Sequence, residues 1–144
     1  MSETDRVPVA HGVTATGEAW TIIAWRRGTE TFTFLEVIDA EGHDVGGGGF
    51  GGPLLDPGMP INTFAHRPGT GGTQLVGRAD PSIVRVRLDL SSGEPIELTP
   101  TGDPDLFGVR FFAALIPDGI EIVAMFLYDE TGDERAKYPH HPPG

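Results

Sequence analysis

Three glycines in this sequence have the spacing of a known ligand-binding motif. Gly46, Gly48 and Gly51 have the G-x-G-x-x-G pattern of a dinucleotide-binding loop. In such a loop a helix follows at once, and its N-terminus meets the pyrophosphate. Residues 53–57 begin and end with proline instead, so the pattern predicts no nucleotide site.

The glycine-rich stretch, residues 46–52, has two other interpretations. It is a flexible loop, or its bare backbone lets a ligand or a protein partner approach closely. In the second interpretation Gly48, Gly49 and Phe50 are binding residues, because an aromatic ring flanked by glycines can reach a partner's pocket. Phe50 fits equally well as a plug over the open end of the fold.

Histidine and carboxylate side chains define no reaction centre. His11, His43 and His66 can be drawn as three ligands of one metal ion, yet the sequence has no H-x-H or H-E-x-x-H spacing. The acidic residues near turns have no predicted pairing for acid–base chemistry. Cysteine is absent and no G-x-S-x-G occurs, so neither thiol nor serine nucleophile is indicated. We therefore predict no catalytic residue, no metal and no cofactor.

The basic residues of the C-terminal half form one group: Arg78, Arg85, Arg87 and Arg110. On adjacent strands, outward-facing arginines would line up as a stripe that binds a carboxylate or a phosphate. Arg78, Arg85 and Arg87 are the binding residues of that hypothesis. The favoured alternative pairs the arginines with acids of the same region as ion pairs across strands. Those acids are Asp89, Glu94 and Glu97.

Composition restricts the partners. The 144 residues suit one domain, and 21 acidic against 10 basic residues give a net charge of −11. An evenly acidic surface repels phosphate, which argues against nucleic acid and anionic membranes as partners. The start of the sequence lacks the pattern of a secretory signal, and no run approaches the roughly 18 apolar residues of a membrane helix. The expectation is a cytoplasmic protein that binds a protein or a small ligand.

Strands are indicated by β-branched and aromatic residues. Residues 19–25 and 31–38 predict a first hairpin, and a switch of apolar parity in the second run predicts a bulge near Phe34. Residues 39–72 are predicted to be irregular apart from a short strand at 61–65, and so form a functional or mobile loop. Residues 83–90 alternate cleanly, so one face of that strand is wet.

Two apolar runs follow, at residues 109–116 and 120–128. Nearly every position is apolar, which indicates strands covered on both faces. Between them residues 117–119, Pro-Asp-Gly, predict a tight hairpin turn.

The predicted fold class is all-β, a two-sheet antiparallel β-sandwich of eight or nine strands, with a small closed β-barrel as the alternative. No helix is predicted. Residues 1–17 are expected to form a loose N-terminal arm, residues 18–136 the single β domain, and residues 137–144 a disordered tail.

Short patterns along the chain resemble a group of uncharacterised bacterial β-sandwich domains. They are Trp20 in an early strand and residues 75–77, 84–86, 109–112 and 128–132. The resemblance spans residues 18–136 and implies a sandwich fold without implying an activity. Members of that group often carry a secretion signal or a membrane anchor and two cysteines, whereas this sequence has no cysteine.

Three functions follow as hypotheses from different classes. The preferred one is a non-enzymatic recognition module that presents the 39–72 segment, because sandwich folds bind through loops held on a rigid scaffold. The second is a structural or assembly subunit that uses the apolar C-terminal hairpin. The third is a small hydrolase or isomerase with carboxylates and His43 or His66.

Overall fold

Within the residues that it describes, the computed structural model contains one short helix and eleven strands, and the strands form three antiparallel sheets. It describes residues 6–14, 16–51, 60–66 and 72–139, apart from the side chains of residues 46, 47, 50, 66, 137 and 139. The helix, α1, is Pro104–Phe107. The strands are β1 (Val7–Val13), β2 (Ala19–Arg27), β3 (Glu30–Ile38), β4 (Asp44–Phe50), β5 (Ile61–His66), β6 (Thr73–Ala79), β7 (Ile83–Leu90), β8 (Pro95–Leu98), β9 (Arg110–Ile116), β10 (Ile122–Asp129) and β11 (Glu134–Pro139).

The strands are divided among three sheets. Sheet I has the order β1-β2-β3-β4, sheet II the order β5-β6-β9, and sheet III the order β11-β10-β7-β8. Within the described residues each order is open, so none of the sheets closes into a barrel. The prediction of an all-β antiparallel sandwich is confirmed.

Sheet II is the middle layer, because its two faces belong to two different cores. One face packs against sheet III through Leu75, Ala79, Phe112, Ala114 and Ile116. The other face packs against sheet I through Val76, Phe111 and Ala113. Successive side chains of a strand point to opposite faces, so β6 and β9 are buried on both. The run of apolar residues in β9 is thus explained by a third sheet. The sequence predicted two sheets with eight or nine strands, and the described residues form three sheets with eleven strands.

The N-terminal segment is more ordered than the sequence suggested. Residues 7–13, expected within a loose arm, form β1 and pair with β2. Pro8 lies at a register shift of this edge strand, where proline is tolerated. Gly12 leaves room for the Trp20 indole, since a Cβ there would lie 2.6 Å from the ring. At the other end of the chain, β11 continues through residues 137–139 of the expected tail.

The first hairpin is confirmed, because β2 and β3 pair along their whole length without a register shift. The predicted bulge near Phe34 is therefore wrong. Thr31 and Thr33 are buried on the inner face of sheet I, whereas Phe32 and Phe34 lie on its outer face. The switch of apolar parity arises because aromatic residues lie on the outside of the sheet.

The 39–72 segment contains two strands, β4 and β5, and the second was expected. The flexible-loop interpretation of the glycine-rich stretch is wrong for residues 46–50, which lie in β4 at the edge of sheet I. A Cβ at Gly49 would overlap the carbonyl oxygen of Thr33, and one at Gly51 would lie 2.5 Å from the Phe32 ring. Close packing against β3 therefore explains these glycines. Residues 52–59 and 67–71 lie outside the described residues.

The Pro-Asp-Gly segment forms a turn, but the predicted hairpin is wrong. The Ile120 N–H donates to the Pro117 carbonyl at 3.2 Å. However, β9 pairs with β6 in sheet II, while β10 pairs with β7 and β11 in sheet III. The chain also changes from sheet II to sheet III between β6 and β7. The two connections make corners between layers.

The short helix was not predicted, although its end signals are present in the sequence. The Asp103 side chain accepts a hydrogen bond from the Asp105 N–H at 2.9 Å, Pro104 lies in the first turn, and Gly108 ends the helix with a φ of 78°. The helix buries Phe107 edge-on against Phe111. Among the described residues, no helix has the length and apolar character needed to cross a membrane.

Close packing in the middle sheet yields a first prediction. Gly77 pairs with Phe112, whose ring occupies the space that a Cβ at Gly77 would need. Gly77→Ala should lower the free energy of unfolding by about 2 kcal/mol through overpacking. In a Phe112→Leu background the same change should cost less than about 1 kcal/mol, as measured by urea unfolding in a double-mutant cycle. Equal costs in the two backgrounds would contradict this packing.

The corner between β6 and β7 yields a second prediction. The Ser82 hydroxyl and the Ser82 N–H both donate to the Asp80 carboxylate, and these hydrogen bonds hold the pKa of Asp80 below its ordinary 3.8. Because the folded pKa is the lower one, the stabilisation is complete above pH 3.8 and is lost as the pH falls through the folded pKa. Asp80→Asn should therefore have a lower free energy of unfolding than wild type at neutral pH, and this difference should shrink as the pH falls from about 5 to about 2. Ser82→Ala should move that loss to higher pH, and an unchanged profile in both variants would refute the assignment.

Candidate functional site

The residues predicted from the glycine-rich stretch lie on the edge strand of sheet I. Gly48 pairs with Leu35, Gly49 with Phe34, and Phe50 with Thr33. Gly48 and Gly49 are both half-buried. The side chain of Phe50 lies outside the described part of the structure, so the two interpretations of that ring stay predictions.

Arg78 is fully buried between sheets I and II. Its Nη1 donates to the carbonyl oxygen of Thr31 at 2.8 Å, and its Nε donates to Asn62 Oδ1 at 3.0 Å. Burial lowers the pKa of Arg78 from 12.5 to about 10, so the guanidinium stays charged at neutral pH. Arg78 therefore connects the inner faces of two sheets and lies away from the surface.

Arg85 and Arg87 lie on the outer face of sheet III, so the structure does not form a stripe with Arg78. Arg85 stacks over Tyr128, with 4.1 Å from its Cζ to the ring centroid, and pairs with Glu97 at 3.6 Å. Arg87 stacks over Phe126 at 4.3 Å, and its Nε donates to Asp89 Oδ1 at 3.1 Å. Both guanidinium groups thus cover aromatic rings of β10 and pair with acids. The Arg85–Glu97 pair crosses from β7 to β8, as the favoured alternative expected, whereas Arg87 and Asp89 lie on the same strand.

The histidines do not assemble into the drawn three-ligand site in the part of the chain that is described. His11 is exposed on β1, and the side chain of His66 lies outside the description. His43 lies in the exposed turn between β3 and β4, with its Nδ1 3.5 Å from Asp39 Oδ2 and 3.7 Å from Glu41 Oε2. In a folded protein such an exposed turn cluster is ordinary surface chemistry.

The outer face of sheet I carries an aromatic patch, which the sequence did not predict because of the wrongly expected bulge. Trp25 and Phe32 are stacked, with ring centroids 5.5 Å apart, and the Arg6 guanidinium lies over Trp25 at 4.2 Å. Phe34 is 37% exposed beside them. Shallow depressions of about 250 and 370 Å³ flank Phe34.

A concavity larger than these two depressions lies at one end of the three layers, and we call it the end cleft. It has a volume of about 700 Å³, within the usual range for small-molecule sites. The β1–β2, β3–β4 and β7–β8 turns and the β9–β10 corner meet there, because all these strands start or end on that side. The cleft is lined by Thr14, Thr16, Glu18, Asp39, Val45, Gly72, Thr73, Gln74, Leu90, Ser92, Glu94, Pro95, Ile96, Leu115, Ile116, Pro117 and Ile120.

Apolar side chains from all three sheets form much of the cleft wall. Val45 comes from sheet I, Leu115 and Ile116 come from sheet II, and Leu90 and Ile96 come from sheet III. A Cβ at Gly72 would overlap the carbonyl oxygen of Ile116, so only glycine lets the chain pass there. An apolar wall of this kind holds the hydrocarbon part of a ligand.

Gln74 is the polar exception within this wall. It lies on β6, pairs with Leu115 of β9, and is only 7% exposed. Its Oε1 is buried and accepts no hydrogen bond. A buried amide oxygen without a donor is unusual in a folded protein and points to a group that the chain does not supply.

The cleft rim is acidic. Glu18, Asp39 and Glu94 line it, and none of its described lining residues is basic. Asp39 Oδ1 accepts hydrogen bonds from the N–H groups of Glu41 and His43, both at 2.9 Å. The hydrogen bond from the His43 N–H is the main reason that the pKa of Asp39 lies below its ordinary 3.8, so this carboxylate is ionised at neutral pH.

The β1–β2 and β3–β4 turns, which carry two of these carboxylates, have the same backbone hydrogen bonds. Thr14 and Asp39 each accept a hydrogen bond at their carbonyl from the glycine three residues later, at 3.0 Å. Their N–H groups donate to the carbonyls of Glu18 and His43, at 2.9 and 2.8 Å. These are three-residue hairpin loops with glycine at the left-handed position. The Thr16 hydroxyl then donates to Glu18 Oε1 at 2.9 Å and orients that carboxylate.

Sequence reasoning missed the end cleft and its central residue. The available signal was Gln74 itself, the only glutamine of the chain, standing at the start of an apolar strand. A polar residue near the start of a strand indicates an exposed strand end. Only the pairing of β6 with β9 shows that Gln74 is buried. The three rim carboxylates are 76 residues apart in sequence, from Glu18 to Glu94, so no local motif links them.

Comparison with known proteins gives no relative: no family model, no curated protein and no solved structure matches this chain. The resemblance to uncharacterised bacterial sandwich domains therefore stays a prediction from its short motifs.

Arg78 provides the prediction for this part of the molecule. Arg78→Met keeps most of the side-chain volume but leaves the Thr31 carbonyl and the Asn62 amide oxygen without that donor. The free energy of unfolding should fall by about 3 kcal/mol. Arg85→Met, the matched change on the outer face of sheet III, should cost less than about 1 kcal/mol. Urea unfolding measures both, and similar small losses would show that Arg78 does not connect the sheets.

Proposed function

We propose that this protein is a non-enzymatic recognition module that holds a small ligand in the end cleft. One observation carries the proposal: Gln74 lines a cleft of about 700 Å³, and its buried Oε1 accepts no hydrogen bond. A ligand that donates to this oxygen would remove the penalty of leaving it buried and unpaired. The 39–72 segment contributes through Asp39 and Val45, on the rim and wall.

Free energy gives this observation its weight. Burying an amide oxygen without a hydrogen bond costs about 1–3 kcal/mol, and a leucine of similar size would avoid that cost. Native proteins leave few buried polar groups unpaired, and functional sites are among the places where they do so. Arg78 offers an internal comparison, because it lies on the same face of β6 and donates to Thr31 and Asn62.

The two other functions have less support. β9 is covered on both faces by this chain's own sheets, and the outer-face rings of β10 lie beneath Arg85 and Arg87. The apolar composition of the two strands therefore no longer calls for a second chain. For a hydrolase or isomerase, His43 has only the exposed carboxylate cluster of its own turn as a described partner. The end cleft is lined by hydroxyl and carboxylate side chains, and none of its described lining residues is a histidine that could act as a general base.

A single substitution separates a binding role of Gln74 from a structural one. Gln74→Leu should raise the free energy of unfolding of the ligand-free protein by about 1 kcal/mol, since it replaces an unpaired amide by an apolar group of similar shape. It should also weaken ligands that occupy the cleft. Urea unfolding tests the first effect. A loss of more than about 1 kcal/mol would show that the amide has a structural role, and the proposal would fail.

Binding itself is tested with a fragment library and ¹⁵N–¹H correlation spectra. Hits should shift the amide signals of Thr73, Leu115 and Ile116, and Leu115→Trp should remove those shifts by filling the cleft. Leu106→Trp is the matched control, because Leu106 is 49% exposed on α1 at the opposite end of the layers. Fragments that bind elsewhere, or bind Leu115→Trp equally well, would contradict a site in the end cleft.

A further inference from the structure

We propose that the ligand of the end cleft is an amphipathic organic cation, with an apolar body and a primary ammonium or guanidinium head that donates to Gln74 Oε1. This inference rests on the proposed function and names the chemical class of its ligand. Three features of the cleft carry it: the unpaired acceptor, the acidic rim and the apolar wall.

The acceptor fixes the polarity of the hydrogen bond. The unpaired atom is the oxygen of the Gln74 amide, so a ligand that pairs with it donates an N–H or an O–H. A carboxylate, a phosphate ester or a tertiary amide has no donor to offer at that position. A charged donor is favoured further, because a hydrogen bond from an ammonium or a guanidinium is about twice as strong as a neutral one.

The rim selects the sign of the charge. Glu18, Asp39 and Glu94 come from three different turns and surround the same opening. The described lining residues include no basic residue, and His43, 3.5 Å from Asp39 Oδ2, adds a positive charge beside the rim only when it is protonated. The chain as a whole carries a net charge of −11, so the surrounding field also attracts cations and repels anions.

The arrangement suits an organic cation better than a metal ion. In the described part of the chain, one group of three His, Asp or Glu ligand atoms lies within 4.8 Å of one another, formed by Asp39, Glu41 and His43. Glu18 and Glu94 are outside that group, so the three rim carboxylates do not converge on one ion. A larger molecule spans them while its hydrocarbon part contacts Val45, Leu115 and Ile116.

Four matched probes test the class of ligand: hexylammonium, hexyltrimethylammonium, hexanol and hexanoate. They share one hydrocarbon chain and differ in charge and in donor capacity. Hexylammonium should bind in the cleft about tenfold more tightly than hexanol, because it replaces a neutral hydrogen bond with a charge-assisted one and is attracted by the acidic rim. Hexyltrimethylammonium, which has the charge and no N–H, should bind more weakly than hexylammonium. Hexanoate should not shift the cleft amides at all.

Two substitutions separate the rim charge from the net charge of the protein. Asp39→Asn keeps an oxygen for the turn hydrogen bonds and removes one rim charge, so it should weaken hexylammonium about three- to fivefold. Asp129→Asn is the control, since Asp129 accepts the equivalent turn hydrogen bonds between β10 and β11, at the opposite end of the layers. It removes the same charge and should leave the affinity unchanged. Binding of hexylammonium to wild type should also weaken as salt is added.

The outcomes distinguish this inference from the proposed function. Hexanol or hexanoate bound in the cleft as tightly as hexylammonium would overturn the cationic ligand and leave the recognition site in place. Equal weakening by Asp39→Asn and Asp129→Asn would also overturn it, because the effect would come from net charge alone. If none of the four probes shifts the cleft amides, the cationic class fails. The fragment screen and the stability of Gln74→Leu then decide the proposed function separately.

Discussion

The fold depends on burying the pair β6 and β9 on both faces. Their alternate side chains enter two cores, so a sheet must cover each side, and both covering sheets come from this one chain. Sheet I is a simple meander that covers one face. Sheet III covers the other because the chain turns a corner after β6 and again after β9. Gly77 lets the Phe112 ring lie against the strand, and Arg78 connects the opposite face to sheet I.

The end cleft is a consequence of that layering. Three twisted layers do not meet evenly where their strands end, and the space between them must be filled by turns or left open. At this end the turns are small and polar, and they stand around the space instead of filling it. β6 starts here, so its first inward side chain, Gln74, reaches the cleft. Further along the same face, Arg78 is buried more deeply and donates a hydrogen bond to the Thr31 carbonyl.

Local sequence predicted the elements whose contacts are close in the chain, and it failed where distant contacts decide. The β2–β3 hairpin and the alternation of β7 were predictable, because neighbouring residues determine both. The need for glycine at residues 49 and 51 was not predictable, since only the carbonyl of Thr33 and the ring of Phe32 explain it. The turn at residues 117–119 was predictable as a turn, whereas the strand partners of β9 and β10 depend on pairings with β6 and β7. The site was hidden for the same reason, as its residues come from separate turns and all three sheets.

The two aspartate turns show how little a local motif says about function. Asp39 and Asp129 each accept hydrogen bonds from the N–H groups two and four residues later, and hydrogen bonding lowers both pKa values. Their sequences and geometry are alike because each closes a hairpin with glycine at the left-handed position. Only the topology separates them, since one turn lies beside the mouth of the end cleft and the other lies at the opposite end. The carboxylate of Asp129 therefore only closes its own turn. The same local chemistry places the carboxylate of Asp39 beside an apolar cleft that contains an unpaired acceptor.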